Sequence, residues 1–509
     1  CTPGRIGLIV LPMTSLGPNI ATWIDRWAGH QPDALAVEFE GEQTSYSQLA
    51  NKIGALANWL VESGIEQGDR VAWLGPNHPF ALELVFACSQ VGAITLPLNS
   101  RLLPSEHRWI LEDAEVNLVV SEDSFCEAAL EAANGIAVQS LSSLVYPLMS
   151  NPAEQKGNSH DPLLLAYTSG TTGTPKGALL TQSALIANAI NSFHCHDFTT
   201  KDRVLTFLPL FHVGGLNIQT IPALLAGASV LLHRAFDPGK WLRDVEEWRP
   251  TWSLFVPATL DAVAKHPDFA TADLSSLNGL MAGSSTIPEA VTRPFFERGI
   301  PVGQVYGSTE TAPTAVIMRV EQAEQRPTSC GKPATLCSLR IVDDEGHDVS
   351  RGQTGELWIK GPNILAEYWR NPEATRESIT DGWFHTGDIG HVDEEGWVYI
   401  DDRKKDLVIS GGENIYPAEL ENVLAGSALF VEAAVVGIPD DRWGEIPIVV
   451  AAQDSGKAQD SEAVLKLFTG QVAPFKVPKK VFWVDALPRN VMGKVLKHEI
   501  RDMLKDKKL

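Results

Sequence analysis

Apolar residues recur along this chain with two alternating periods. Leu49, Ile53, Leu56, Leu60 and Val61 fall three or four apart and predict an amphipathic helix. Gly68-Asp69 breaks the pattern, and 71–74 is an all-apolar run of the kind a buried strand shows. A helix is expected over 79–91, a strand over 93–96, a helix starting across 106–111 and another strand over 117–120. Strand, helix and strand in that rhythm predict a parallel sheet with helices on its faces. Residues 151–162 are polar and turn-rich and read as a surface connection, after which the alternation resumes.

The last hundred residues read as a small α+β unit. A helix is expected over 417–424, strands over 432–436 and 448–452, a helix over 462–468 and a strand over 481–484. The charged run Asp401-Asp402-Arg403-Lys404-Lys405-Asp406 precedes it, as suits an exposed domain boundary. A chain of 509 residues is too long for one compact core. The expected fold class is therefore α/β: a large N-terminal domain (1–402) of several subdomains with mostly parallel sheets flanked by helices, and a small C-terminal domain (403–509).

With 44% hydrophobic and 20% charged residues, the composition is that of a globular protein. A formal net charge of -22 repels phosphate backbones and anionic lipid, which argues against nucleic acid or a membrane surface as partner. Any anionic ligand then needs a local site that overrides the global field. Six cysteines without a CxxC pair read as reduced thiols of a cytoplasmic enzyme. His194-Cys195-His196 matches no zinc spacing and reads as ordinary structure. Residues 6–13 are apolar but too few to span a bilayer, and they lack a signal-peptide layout. Because the chain begins at Cys1 rather than Met, its first fifteen or so residues are expected to be a truncated or appended end.

The strongest local signal is Tyr167-Thr168-Ser169-Gly170-Thr171-Thr172-Gly173-Thr174-Pro175-Lys176-Gly177, which follows an apolar strand at 163–166. Its glycines let the backbone approach a ligand closely. Its amides and hydroxyls make a donor-rich concave surface, and Lys176 adds a point charge. This describes a polyphosphate cradle. It is not a Walker A loop, since Pro175 and Gly177 flank the lysine where that pattern needs Gly and Ser or Thr.

This loop resembles the signature of the adenylate-forming superfamily: acyl- and aryl-CoA synthetases, luciferase-like enzymes and peptide-synthetase adenylation domains. The likeness runs from about residue 18 to the C-terminus and rests on several motifs in the expected order. It implies ATP, Mg²⁺ and coenzyme A as co-substrates and cofactor, and nucleotide contacts from Thr168, Ser169, Gly170, Thr171, Thr172, Gly173 and Lys176.

The other motifs read first as chemistry. In Gln304-Val305-Tyr306-Gly307-Ser308-Thr309-Glu310 a strand ends in an aromatic ring, a glycine, hydroxyls and a carboxylate, at the sheet edge where α/β folds bind ligands. A ring can stack a purine, a hydroxyl can bond a phosphate, and a carboxylate can hold Mg²⁺. By resemblance, Tyr306 with Gly307 is the adenine platform, Thr309 a phosphate contact and Glu310 the magnesium ligand. Trp383-Phe384-His385-Thr386-Gly387-Asp388 offers a carboxylate after a glycine turn, which suits a ribose diol. The resemblance pairs Asp388 with Arg403 on that ribose. It also makes His212 of Phe211-His212-Val213-Gly214-Gly215 a gate between acyl pocket and nucleotide. Lys494 of Leu487-Pro488-Arg489-Asn490-Val491-Met492-Gly493-Lys494 becomes the catalytic lysine that brings carboxylate and α-phosphate together. At an effective dielectric near 20, a cation about 4 Å from an anion offers roughly 4 kcal/mol. Lys405 matches the hinge of a mobile C-terminal domain, and Gly411-Gly412 the turn that faces CoA.

The stretches expected to line the acyl pocket are 210–217, 255–258, 281–286 and 311–314, with Phe211, Val213, Gly214, Asn217, Gly283, Ser284 and Thr311 singled out. They carry no Arg, Lys, Asp or Glu, so neither a second carboxylate nor an ammonium would find a partner. The expectation is an acid–CoA ligase that makes acyl-CoA, AMP and pyrophosphate. Its acid would be a medium- or long-chain fatty acid, with an aryl acid of benzoate or cinnamate type as the alternative. A luciferase-like oxygenase and a non-catalytic nucleotide-binding protein are the rival classes. A homodimer is left open.

Overall fold

The computed structural model describes residues 19–145, 156–168, 175–283, 287, 289–343, 345–403, 408–415, 417–424, 427–453, 458–488, 495 and 497–505. The amphipathic helix expected from Leu49 to Val61 runs over Tyr46–Glu62. Ser45 and Gln48 form a reciprocal capping box, and Leu49, Ile53, Leu56 and Leu60 are buried. Helix Pro79–Val91 buries every residue from Phe80 to Val91, which explains why its sequence is apolar all round rather than striped.

Two large sheets carry the N-terminal part. In the first, Ile94–Leu98, Arg70–Leu74, Leu118–Ser121 and Ala137–Ser140 run parallel, as the alternation predicted. Pro162–Thr168 joins Ile94–Leu98 in parallel, and Lys176–Thr181 and then Glu367–Tyr368 extend the edge antiparallel. The second sheet has nine strands. Arg203–Thr206, Trp252–Phe255, Gly279–Gly283 and Val302–Tyr306 lie parallel in it. One core cluster takes side chains from both sheets, including Val71, Trp73, Leu163, Val204 and Met281.

A third sheet is antiparallel throughout and was not anticipated. It consists of Ser338–Val342, Gly355–Lys360, Ile379–Thr380, Trp383–Val392 and Val398–Arg403. Gly387-Asp388 lies inside its ten-residue strand Trp383–Val392, so the expected glycine turn is instead a bulged strand with Gly387 at φ +70°. The connection at 151–162, described from 156 on, is only partly at the surface. Of its described residues, Gly157 and Ser159 are buried. A Cβ on Gly157 would lie 1.9 Å from the carbonyl oxygen of Ser89, so these two residues pack inward while Lys156, Asn158 and His160 stay exposed as a surface connection requires.

The C-terminal part is built on the hairpin Glu432–Asp440 and Gly444–Ala452, joined by Val408–Ser410, Glu413–Ile415 and Val481–Val484. Helix Pro417–Leu424 forms as read, the helix expected over 462–468 runs over Ser461–Lys466, and helix Lys497–Lys505 was missed. Its buried anchors Ile500 and Leu504 are too few among charges to give a clear period. No helix among the described residues is long and apolar enough to cross a membrane.

Candidate functional site

Thr168 ends one strand and Lys176 begins the next, and the two are directly paired. The glycine- and threonine-rich loop therefore springs from the edge of the first sheet. Ser169, Gly170, Thr171, Thr172 and Gly173 lie outside the described residues. The ammonium of Lys176 stands 5.5 Å from the ring centre of Tyr368. The hydroxyl of Tyr368 donates to Glu310 Oε1 at 2.8 Å. Tyr368 thus joins the lysine of the first motif to the carboxylate of the second. Nothing in the sequence marks it, because it acts through strand pairing from almost two hundred residues away.

Strand Val302–Tyr306 ends in the expected aromatic residue. Gly307 is required where it stands, since a Cβ would fall 1.7 Å from the Pro313 carbonyl oxygen. Thr309 and Glu310 occupy a single 3₁₀ turn, Thr309–Thr311. The Thr311 hydroxyl accepts from Ser308 N at 2.9 Å and is buried with its residue, so it serves the turn. The Tyr306 hydroxyl donates to Asp388 Oδ2 at 2.8 Å, and burial raises the phenol pKa well above its ordinary value. Asp388 pairs in register with Arg403 across the third sheet. The residues expected at adenine and ribose are therefore neighbours drawn from two sheets.

Glu310 is a hard oxygen donor beside the hydroxyl-bearing Thr309. Among the described residues no cluster of three His, Cys, Asp or Glu side chains could hold a metal. One carboxylate suits Mg²⁺, which keeps waters and takes its other ligands from phosphates.

A cavity of about 100 Å³ lies where the motifs converge. Thr168, Thr309, His212 and Phe211 line it from the large domain, and Glu413, Phe475 and Lys476 from the small one. Gly411 (φ +59°) and Gly412 (φ +83°) form a two-residue hairpin turn between paired Ser410 and Glu413. Two consecutive positive φ angles are what such a primed turn requires. The turn is seated in the large domain, with a Cβ on Gly412 3.2 Å from the Val256 side chain. His212 Nε2 stands 3.1 Å from Glu413 Oε2, and Arg101 forms an ion pair with the same carboxylate. The Arg101 guanidinium lies between the rings of Phe211 and Phe475, 5.3 and 5.2 Å from their centres. Burial, with the Arg101 charge second, holds the His212 pKa below its ordinary value. The neutral imidazole then donates from Nε2.

Lys476, 6% exposed, bonds Glu106 of the large domain at 3.0 Å and Glu419 of the small one at 2.7 Å. Burial raises the Glu419 carboxyl pKa. Arg101 and Lys476 had no sequence signal, since each is one cation among many until the domains meet.

Of the acyl-pocket residues, Val213, Gly214 and Asn217 sit at the start of a π-helical stretch, Gly214–Thr220. Among the described residues, a Cβ on Gly214 would meet only Ile218 Cδ1, at 4.0 Å. Asn217 is 1% exposed and its carboxamide atoms find no hydrogen-bond partner among the described residues. Gly283 ends its strand against Val305, whose carbonyl oxygen would be 2.8 Å from an added Cβ. Ser284, Lys405 and Lys494 lie outside the described residues. Cys195 and His196 are buried, with His196 stacked on Phe198 at 4.6 Å.

The model of AMP-binding enzymes matches residues 24–369, and that of the AMP-binding enzyme C-terminal domain matches residues 419–494. The chain belongs to the AMP-binding enzyme family. Within it this protein is an AMP-forming acid–CoA ligase that uses ATP, Mg²⁺ and CoA. It is 44% identical over 500 residues to the indoleacetate–CoA ligase of Aromatoleum aromaticum, covering 96% of this chain and 98% of the relative. It is 39% identical over 483 residues to a feruloyl-CoA synthase of Amycolatopsis, covering 95% and 98%. Among solved structures, a double mutant of o-succinylbenzoate CoA synthetase (MenE) from Bacillus subtilis, bound to the product analogue OSB-NCoA, superposes with a TM-score of 0.85 at 30% identity, covering 96% and 98%. The same enzyme with its acyl-adenylate intermediate OSB-AMP gives 0.70, at the same identity and coverage.

Proposed function

We propose that this AMP-binding enzyme activates an aryl acid, with the ring held off the carboxylate by a short spacer as in arylacetic and arylacrylic acids. The observation that carries this is the near full-length likeness to ligases named for indoleacetate and ferulate. It favours the aryl alternative over the fatty acid that the apolar pocket first suggested. The stretches expected to line the pocket carry no charged side chain, which suits a ring as well as a chain, and among the described residues a Cβ on Gly214 would meet only Ile218 Cδ1 at 4.0 Å.

The residue roles belong to this proposal, as does the division of the chain at 402/403. The acid's carboxylate attacks the α-phosphate of ATP, forming the acyl-adenylate and releasing pyrophosphate. Lys494 orients the two anions, while Thr168, Lys176 and Thr309 hold phosphate oxygens. Tyr306 stacks adenine, and Asp388 with Arg403 holds the ribose diol. Glu310 would hold Mg²⁺, which when bound would supply charge neutralisation for the pyrophosphate leaving group. Rotation about Lys405 then withdraws Lys494 and brings Gly411-Gly412 to the site, where the CoA sulfur attacks the acyl carbon and AMP leaves. Two features support reading the present pose as the thioester-forming one. The diglycine turn is seated beside His212 and Val256. The fold also superposes better on the MenE complex with a CoA product analogue than on the one with acyl-adenylate.

The test is AMP release with ATP, Mg²⁺ and CoA against indoleacetate, phenylacetate, ferulate, benzoate, hexanoate, palmitate and malonate. CoA-dependent turnover highest on an aryl acid supports the proposal. Turnover highest on hexanoate or palmitate would restore the fatty-acid reading.

A further inference from the structure

Helix Gln182–His196 carries Asn188, Asn191 and Ser192 on one face, and all three are at most 1% exposed. Buried amides and hydroxyls cost free energy unless each is partnered. Here every one is matched to backbone. Asn188 Nδ2 donates to the Asn217 carbonyl oxygen at 2.6 Å, and its Oδ1 accepts from Thr314 N at 2.8 Å. Asn191 Nδ2 donates to the Thr314 carbonyl oxygen at 3.0 Å, and Ser192 Oγ donates to that of Ile218 at 2.5 Å.

The demand for these donors is set by one residue. The π-helical stretch Gly214–Thr220 runs into helix Ile221–Leu225, whose second residue is Pro222. An α-helical ladder would bond the Ile218 carbonyl to the N–H of residue 222, and a π-helical one would bond the Asn217 carbonyl to it. Proline has no N–H to give. Asn188 and Ser192 supply the donors that Pro222 lacks.

We propose that Asn188 is a positioning residue that sets the width of the acid-binding groove. One rigid carboxamide ties together the two backbone segments that wall it. These are the π-helical stretch after His212 and the segment 311–314, which continues directly from Glu310. The inference rests on the reading that the acid lies between these segments. A truncated Asn188 frees them to separate, so acid selection changes while the nucleotide site does not. Asn191 holds Thr314 but not the π-helical wall, so it cannot fix the distance alone.

The experiment compares Asn188→Ala and the milder Asn188→Ser with the unaltered enzyme. Ser253→Ala is the control. It removes similarly buried bonds, to the Leu205 carbonyl oxygen at 2.8 Å and from Trp241 Nε1 at 3.2 Å, without touching either of the two segments that Asn188 ties. We expect KM for the acid to rise about tenfold and KM for ATP to stay within twofold. The kcat/KM ratio between indoleacetate and phenylacetate should shift at least fivefold. Ser253→Ala should leave that ratio unchanged. If Asn188→Ala does not fold, Asn188→Ser carries the same test with a smaller shift. Acid and ATP KM rising together, or an unchanged ratio in a folded variant, overturns the positioning role alone. An unaltered enzyme inactive on every aryl acid overturns the substrate reading and this inference with it.

Discussion

His212 and Glu413, 201 residues apart, meet at 3.1 Å across the boundary between the two domains. Glu413 ends the diglycine turn and also receives Arg101, so one carboxylate fastens the small domain to the large one at the cavity. Glu413→Gln keeps the shape and removes the charge. We expect adenylation, read as first-turnover pyrophosphate release, to stay within threefold. Thioester formation from preformed adenylate should fall about tenfold, roughly 1.4 kcal/mol. Equal loss in both steps would show that the contact is not specific to one pose.

Lys494→Ala separates the half-reactions in the opposite sense. Loss of a preorganised charge at the reacting centre typically costs about a hundredfold or more. Adenylation should fall by at least that factor, while supplied acyl-adenylate is still converted to thioester. Single-turnover assays of each half-reaction measure both.

The Tyr368–Glu310 bond orients the carboxylate assigned to Mg²⁺. Outer partners of metal ligands typically matter by about 10- to 100-fold. Tyr368→Phe should therefore raise the Mg²⁺ concentration for half-maximal adenylation about tenfold with little change in acid KM. Titration of initial rate against Mg²⁺ decides it.

Among the described residues, a Cβ on Gly214 would make one van der Waals contact, with Ile218 Cδ1 at 4.0 Å. Gly214→Leu should fold with a Tm within a few degrees of the unaltered enzyme, yet fill the groove. We expect kcat/KM for indoleacetate to drop at least tenfold further than for a short aliphatic acid. A large loss of Tm would mean the space is not free.

His78 and His196 have pKa values lowered to about 4, chiefly by burial. A folded-state pKa below the unfolded value near 6.5 means the unfolded chain binds the proton more tightly. This stability is complete above about pH 6.5 and drains as pH falls toward 4. For fully buried His196 the loss reaches on the order of 3 kcal/mol. Tm measured from pH 7.5 to 4.5 should fall steeply below 6.5, and His196→Gln should flatten part of that slope.

Much of the site was legible because its chemistry is local in sequence. The strand end from Tyr306 to Glu310 and the turn Gly411-Gly412 each combine polar chemistry with glycines that the backbone requires, and the sequence from Thr168 to Lys176 gathers hydroxyls and a lysine within nine residues. Backbone need and ligand chemistry are then written together. The parallel sheet, the fully buried helix Pro79–Val91 and the separate C-terminal unit were likewise fixed by period and punctuation. Tertiary structure decided what depends on distance. It set Tyr368 on Glu310, and Arg101 and Glu413 on His212. It shared Lys476 between two domains and used Asn188 to replace a donor that Pro222 lacks. Each of these is an ordinary residue in its own neighbourhood. It acquires a role only when burial removes water as the competing partner and leaves one group, from elsewhere in the chain, to satisfy it.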